Sequence, residues 1–528
     1  MQVLSIILIA MIMVHDGGIR VVDQALVEPG RWTPVLVFGP LVGLIAILSG
    51  IVAIGRRRVR RGKPRWIIRA ERAASAARLL VVAHHGACVF LYGWVEAVRA
   101  VVGDLVLVDE IIILAPALLG LFATWWAVYP IDRIVREAML IRSLDAGQPV
   151  YSLPGRFGHA ATQFRLHILL LLVPILLIAG AAEAVDRVAF WLDVGPRYAW
   201  AVDGSRVLCS LVVLLAAPAV TFAVQDVERF PDGPIRDMLV RTCRRHRVGV
   251  RELVLWKTGG LMINAAVMGF VRWFRYVLMT DGLIQTMNEH QVEAVMAHEV
   301  GHVRRHHMPW MVVVLLALLT SVMLVLDLAV RGLEHAGRLD DVSPGWIDGV
   351  VLVSGMSIVL LGFGWISRRF ERQADTFAVQ HLSGLGLPGD ADGRVRPEAV
   401  DAMRGALMTI SSLNAVDPDR RSWRHGSIAW RGDYLRTLTG RPMQTLAIDR
   451  HVRWIKAVCG AWLALFVLAT VLAEAGVIHL DALDPTPEPE LTELWIYRGI
   501  DRGIDRGIDR GVDPGRLVPT APAGTESS

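Results

Sequence analysis

Cysteine and charge are both scarce in this chain of 528 residues, and each scarcity excludes something. Of 4 cysteines, Cys88, Cys209 and Cys459 fall inside apolar runs and Cys243 lies in a basic stretch, with no CxxC or paired spacing. That argues against a disulfide framework and against a sulfur-ligated metal, and the thiols read as small core residues. Only 20% of residues are charged, against 54% hydrophobic and a mean hydropathy of +0.45. Such a composition excludes a string of ordinary soluble domains and points to a polytopic membrane protein. The net charge is +5, nearly all of the cations being Arg, but the basic clusters flank apolar runs and form no continuous stripe. Nucleic acid is therefore not an expected partner, and the lipid bilayer is.

What is abundant is apolar runs. Spans are expected at about 35–54, 79–102, 111–129, 166–190, 207–224, 310–330, 347–367 and 456–478. A shorter run at 3–14 lacks a basic leader and a small-residue cleavage site, so it reads as a retained anchor. The most basic stretch, 55–78, and a second loop with Arg133, Arg136, Arg142, Arg156 and Arg165 mark the cytoplasmic side. Counting spans from there puts 225–308 inside and returns the chain to the same side after a membrane hairpin. His84 and His85, adjacent within a span, point about 100° apart and read as polar interhelical contacts. Glu183 and Asp186, near a span end, read as interfacial residues. At 498–513 the chain repeats RGIDRGIDRGIDRGVD, whose regular Gly weakens any helix; with its Pro-rich flanks it reads as a disordered tail.

Within the segment expected inside, HEVGH occupies 298–302. With 16 His and 50 acidic residues in 528, the pattern arises by chance about 0.05 times. His298 and His302 are four apart and share one helical face, where two imidazoles can hold one zinc ion. Glu299 between them is placed as general base toward water. Asn288 and Gln291 form an expected capping box, with Met287 and Val292 as a hydrophobic staple. A catalytic zinc takes three protein ligands, and ERQAD at 371–375 offers the third. Glu371 and Asp375 are again four apart: Glu371 is assigned as ligand, and Asp375 as acceptor of the second ring N–H of a zinc histidine. His306 and His307 just past the motif are left as interfacial residues beside Pro309. Upstream, 253–256 and 275–280 read as strands, with INAAVMG between them and a turn at Asp281-Gly282 into the zinc helix. A strand edge beside such a helix can hold a peptide by its main chain. Asn264 fits a substrate-backbone contact and a turn residue equally well.

HEVGH, a membrane hairpin and then ERQAD resemble the integral-membrane zinc metallopeptidases of the CaaX prenyl protease and HtpX family. NAAVMG and the GLI at 282–284 look like that family's NAFxxG and GLL elements, and SWRHGSIAWRGDYL at 422–435 resembles its HPxxxxRI stretch. The likeness implies that His425 stabilises an oxyanion and Arg431 braces the site; by its residues alone, His425 is a loop histidine among arginines. Gly426 stands where Pro is usual and Gly432 where an aliphatic is usual, which puts the shape of that loop in question.

The expected architecture is therefore mainly α, a polytopic helical membrane protein with a small α+β zincin-like (HExxH gluzincin) domain on the cytoplasmic face of the cell membrane. Expected units are an N-terminal membrane module at 1–224, a metallopeptidase domain at 225–455 interrupted by a hairpin at about 310–367, a last span at 456–478 and a tail at 479–528. The expected function is zinc-dependent hydrolysis of polypeptide substrates, membrane-associated or misfolded, with one zinc ion. A membrane sensor with a protease-like domain and an inactive scaffold or transporter are the alternatives; Glu299 argues against the last, because a purely structural metal needs no general base.

Overall fold

A computed structural model describes residues 2–16, 29–145, 153–260, 262–339, 342, 344–387, 393–414, 416–475 and 477. The repeat at 498–513, and the tail after residue 478, lie outside the described residues.

The N-terminal part is all helical: α1 (Gln2–Asp16), α2 (Thr33–Arg60), α3 (Arg65–Phe90), α4 (Trp94–Val102), α5 (Val108–Asp145), α6 (Arg156–Phe164), α7 (Leu170–Trp191) and α8 (Ala199–Val224). A mixed region follows, with β1 (Val227–Arg229), α9 (Pro234–Arg245), β2 (Glu252–Trp256), β3 (Ala265–Met268), β4 (Tyr276–Thr280), α10 (Asp281–Thr286) and α11 (Glu289–Arg304). Then come α12 (His307–His335), α13 (Pro344–Leu382), α14 (Pro397–Leu413), α15 (Ile428–Arg436) and α16 (Ala447–Glu474).

Among the described residues, 8 helical segments are long and apolar enough to cross a membrane. They are α2, α3, α5, the continuous α6–α7 segment, α8, α12, α13 and α16. Only 6% of the most apolar window of α16, and 11% of those of α8 and α12, is buried inside the protein. Helices apolar all round and so little covered have lipid as their solvent, because each satisfies its own backbone hydrogen bonds. The chain is a multi-pass membrane protein.

The sheet has the order β1-β2-β4-β3, with β2 and β4 parallel and both outer pairs antiparallel. The central strands are apolar and buried, as at Leu253, Val277 and Met279. They pack with Val292 and Met296 of α11 and Phe377 of α13 into one core. β3 forms an edge, paired only with β4.

Several expectations need correction. The run at 79–102 breaks at 91–93, and the basic stretch 55–78 is helical except around the turn joining α2 to α3. INAAVMG contains a strand, and Asp281-Gly282 opens the short helix α10 rather than a free turn, because the Thr280 hydroxyl caps it by accepting from Leu283 N–H. The second half of the hairpin and ERQAD belong to one unbroken helix of 39 residues, α13. The domain boundary expected at 455–456 falls inside α16, which starts at Ala447 as part of the polar domain and runs on as a span.

α9, α11 and α13 are tied together by a polar chain. His246 Nε2 lies 2.7 Å from His381 Nδ1, and His381 Nε2 lies 3.1 Å from Glu293 Oε1. Burial, then His381, Arg245 and Arg304, hold the His246 imidazole down at about 3, from an ordinary 6.5. Below pH 6.5 the unfolded chain binds a proton there that the folded chain refuses. This contribution to stability is complete above pH 6.5 and is lost as pH falls through the window toward 3. The melting temperature should therefore fall more steeply between pH 6.5 and 4 in the natural protein than in His246→Gln. Equal slopes in thermal melts would refute the linkage.

Candidate metal centre

α11 starts where the sequence says it should. The Asn288 side chain accepts from Gln291 N–H while the Gln291 side chain accepts from Asn288 N–H. This capping box fixes the helix phase, and His298 and His302 follow on one face. α13 packs against that face at close range. A Cβ on Gly301 would stand 3.1 Å from the Phe377 Cβ and 3.3 Å from the Ala374 Cα, so any side chain here would push the two helices apart by a few tenths of an ångström.

The approach brings together the three residues assigned as ligands. One donor atom from each of His298, His302 and Glu371 lies within 4.8 Å of the others. The two Nε2 atoms are 3.2 Å apart, and each is 3.7 Å from a Glu371 oxygen. Both rings are aimed by their other nitrogens. His298 Nδ1 faces Asp375 Oδ1 at 2.9 Å, and His302 Nδ1 faces His307 Nδ1 at 2.9 Å. Asp375 is fully buried and is itself clamped by Arg431, which donates from Nε and Nη2 at 2.7 and 2.6 Å. Arg431 Nη1 also stands 3.6 Å from Glu371. Two imidazoles and a carboxylate, converging and held from behind, fit the donor set of a zinc ion.

Glu299 points the other way along α11, toward the sheet, and its Oε2 accepts from Val267 N–H of β3 at 3.0 Å. Burial, helped by the Glu371 carboxylate, raises the Glu299 carboxyl to about 7. Burial likewise lowers His302 to about 4. For His298, burial pushes its pKa down, but the Asp375 carboxylate outweighs it and the net direction is up. His425 lies at the mouth with Nδ1 2.9 Å from Glu371 Oε1, its side chain 53% exposed. Asn264 precedes β3 with its residue exposed; its main chain pairs with Thr280, whose N–H donates to the Asn264 carbonyl at 3.0 Å.

His307 is not the interfacial residue expected from sequence. His306 adopts a left-handed conformation, φ +55, and this one-residue turn lets α12 begin at once. His307 is thereby swung back into the site, fully buried, stacked on Phe370 and 2.8 Å from Gln373 Oε1. Gln373 Nε2 in turn donates to Asp449 of α16 at 2.6 Å, and Arg305 Nη2 donates to the other Asp449 oxygen at 3.2 Å. The sequence signals were the His pair four and five residues past His302 and the Gln inside ERQAD; helical spacing from His302 could not assign either a role.

The fold and this cluster define a polytopic membrane protein carrying a metallopeptidase-type site between two helices. Residues 254–391 match Peptidase family M48. The protease HtpX homolog of Polaromonas naphthalenivorans (strain CJ2) is 26% identical over 210 residues, which is 37% of this chain and 70% of that protein. Protease HtpX of Xylella fastidiosa (strain M23) is 32% identical over 181 residues, 31% of this chain and 61% of that protein. The crystal structure of S. mikatae Ste24p aligns over 77% of this chain and 100% of its own, at 13% identity and a TM-score of 0.39. In its central part the chain is similar to Peptidase family M48 and to the HtpX proteases, and it spans less than two thirds of the Xylella protein.

Because His307 orients His302 without touching the converging donors, His307→Phe should preserve the fold. It should weaken zinc binding by about 10–100-fold, the usual cost of losing such a partner. Competition with a chromogenic chelator measures it, and unchanged affinity would show that the contact orients nothing.

Proposed function

We propose that the chain is a zinc-dependent endopeptidase of the membrane surface, acting on polypeptide substrates that are membrane-associated or misfolded. The observation that carries this reading is the meeting of the His298–His302–Glu371 donor set with Glu299 bound to an edge strand. His298, His302 and Glu371 would hold one zinc ion, whose chemistry when bound is to polarise a carbonyl and to acidify water toward neutral pH.

The chain's own residues supply the rest. In the β3–β4 pairing Asn264 bonds to Thr280, so by alternation Ala265 and Val267 turn their main-chain groups to the open edge. A substrate strand added there is held by its main chain, with little demand on side-chain identity. Val267 N–H, on that same edge, anchors Glu299, so the base stands where the substrate backbone lies. Glu299 takes a proton from the attacking water and returns it to the leaving amine. His425 donates to the oxyanion that develops on the scissile carbonyl, a kind of contact worth roughly 3 kcal/mol. Asp375 and Arg431 keep the His298 ring in position, and Asn264 offers its amide to the substrate backbone.

The catalytic unit on this reading is residues 225–455, which include α12, α13 and the start of α16, and residues 1–224 form a separate membrane module. Arg56, Arg57, Arg58, Arg60 and Arg61 crowd the turn joining α2 to α3, and positive charge at a span end favours the cytoplasmic side. Four spans, an even number, lie between that turn and β1, which supports the same side for the peptidase site.

Glu299→Gln should keep near-stoichiometric zinc yet lose cleavage of an unfolded protein substrate by about 10²-fold or more. Glu371→Ala should lose the zinc. Proteolysis by purified Glu299→Gln at the natural rate would reject Glu299 as base, and full zinc in Glu371→Ala would reject the ligand set. A cellular phenotype that persists in Glu299→Gln would favour a sensor or scaffold.

A further inference from the structure

The N-terminal module carries a polar cluster that the peptidase reading does not use. α8 delivers the chain to β1 from its Val224 end, so the turn between α7 and α8 lies at the other end of a helix about 39 Å long. Near that remote end, Glu183 of α7 meets Asp104 and Asp109 of the segment joining α4 to α5. One oxygen from each of the three carboxylates lies within 4.8 Å of the others.

Asp109 is fully buried. Its Oδ2 accepts from Arg99 Nε at 2.8 Å, but its Oδ1 has no hydrogen-bond donor. Glu183 Oε1 and Oε2 of the adjacent Glu110 are likewise buried without a donor, while Glu183 Oε2 accepts from Leu107 N–H at 3.2 Å. Around them stand Asp16, Glu96, Asp104, Asp109, Glu110 and Glu183 against Arg99, Arg187 and His15. Arg99 is already engaged by Asp16 at 2.7 Å. Arg187 is half exposed, donates to the Asp104 carbonyl at 2.6 Å and reaches Asp104 Oδ1 and Glu183 Oε1 only at 3.5 Å. Negative charge exceeds positive, and carboxylate oxygens taken out of water without a donor are costly.

We propose that Asp104, Asp109 and Glu183 bind a calcium ion that ties the α4–α5 segment to α7. Donors that are all oxygen select a hard cation over zinc or copper. Calcium accepts many oxygens in flexible geometry, whereas magnesium demands a near-ideal octahedron and keeps several of its waters, so carboxylates gathered from two separate segments favour calcium. Arg187, on the exposed side, gives up its long contacts when the ion enters. The ion lowers the mutual repulsion of the carboxylates and cross-links two helices remote from the peptidase site.

The test is equilibrium dialysis of radioactive calcium with the full-length protein, zinc retained, in detergent and calcium-depleted buffer. One calcium per chain is expected, not displaced by equimolar magnesium. Asp104→Ala, at an exposed position that leaves folding intact, and Glu183→Gln should each weaken binding at least tenfold. Glu371→Ala and Asp203→Asn should leave it unchanged. Absence of saturable binding, equal affinity in both cluster variants, or saturation by magnesium alone would overturn the proposal. So would an infrared band of a buried protonated carboxyl that calcium does not remove and Asp109→Asn does, which assigns the cluster to a shared proton.

Discussion

Glu299, Glu371 and Asp375 crowd one cleft between α11, α13 and the sheet, and the permanent cation placed among them is Arg431. Even with the Glu299 carboxyl raised to about 7, the carboxylates outnumber that one cation, and burying such an excess is costly. On the proposed reading, a divalent cation beside the imidazoles would offset that excess and let polar groups gather this tightly in an otherwise apolar core. Asp375 and Arg431 illustrate the same logic at closer range. A fully buried carboxylate is tolerated because a bidentate guanidinium satisfies both of its oxygens.

The membrane helices do more than anchor this cleft. Only two residues separate the end of α11 from the start of α12, and α13 carries Glu371 and Asp375 on its polar half. α16 contributes Asp449, which closes a hydrogen-bonded path from His302 through His307 and Gln373. Three of the spans thus reach the donor set: α13 directly, α12 through His307, and α16 through Gln373 and His307. Separating a soluble catalytic domain from its membrane part would cut that path.

Much of this was legible in the sequence because local chemistry governs it. The capping box at Asn288, the i,i+4 pairs His298–His302 and Glu371–Asp375, and the apolar runs follow from helix geometry and solvent alone. The five motifs between 264 and 435 added a family likeness that composition could not. What escaped reading is what tertiary placement decides. His307 looked interfacial because a left-handed residue at His306 reverses the direction that helical spacing assigns. The break at 91–93 and the start of α16 at Ala447 were hidden for a different reason, since hydropathy locates apolar windows and not helix ends. The strand at 265–268 is a short partly buried edge whose pairing with β4 is set by the fold.

α13 is a single rod of 39 residues, and its apolar end begins at Pro344 while Glu371 sits about 40 Å farther along the axis. A pivot of about 5° about the distant end would carry that carboxylate roughly 3.5 Å, as far as its present separation from the imidazoles. Bilayer thickness and lateral pressure, which set the inclination of such a rod, therefore bear mechanically on whether the donors can close around an ion.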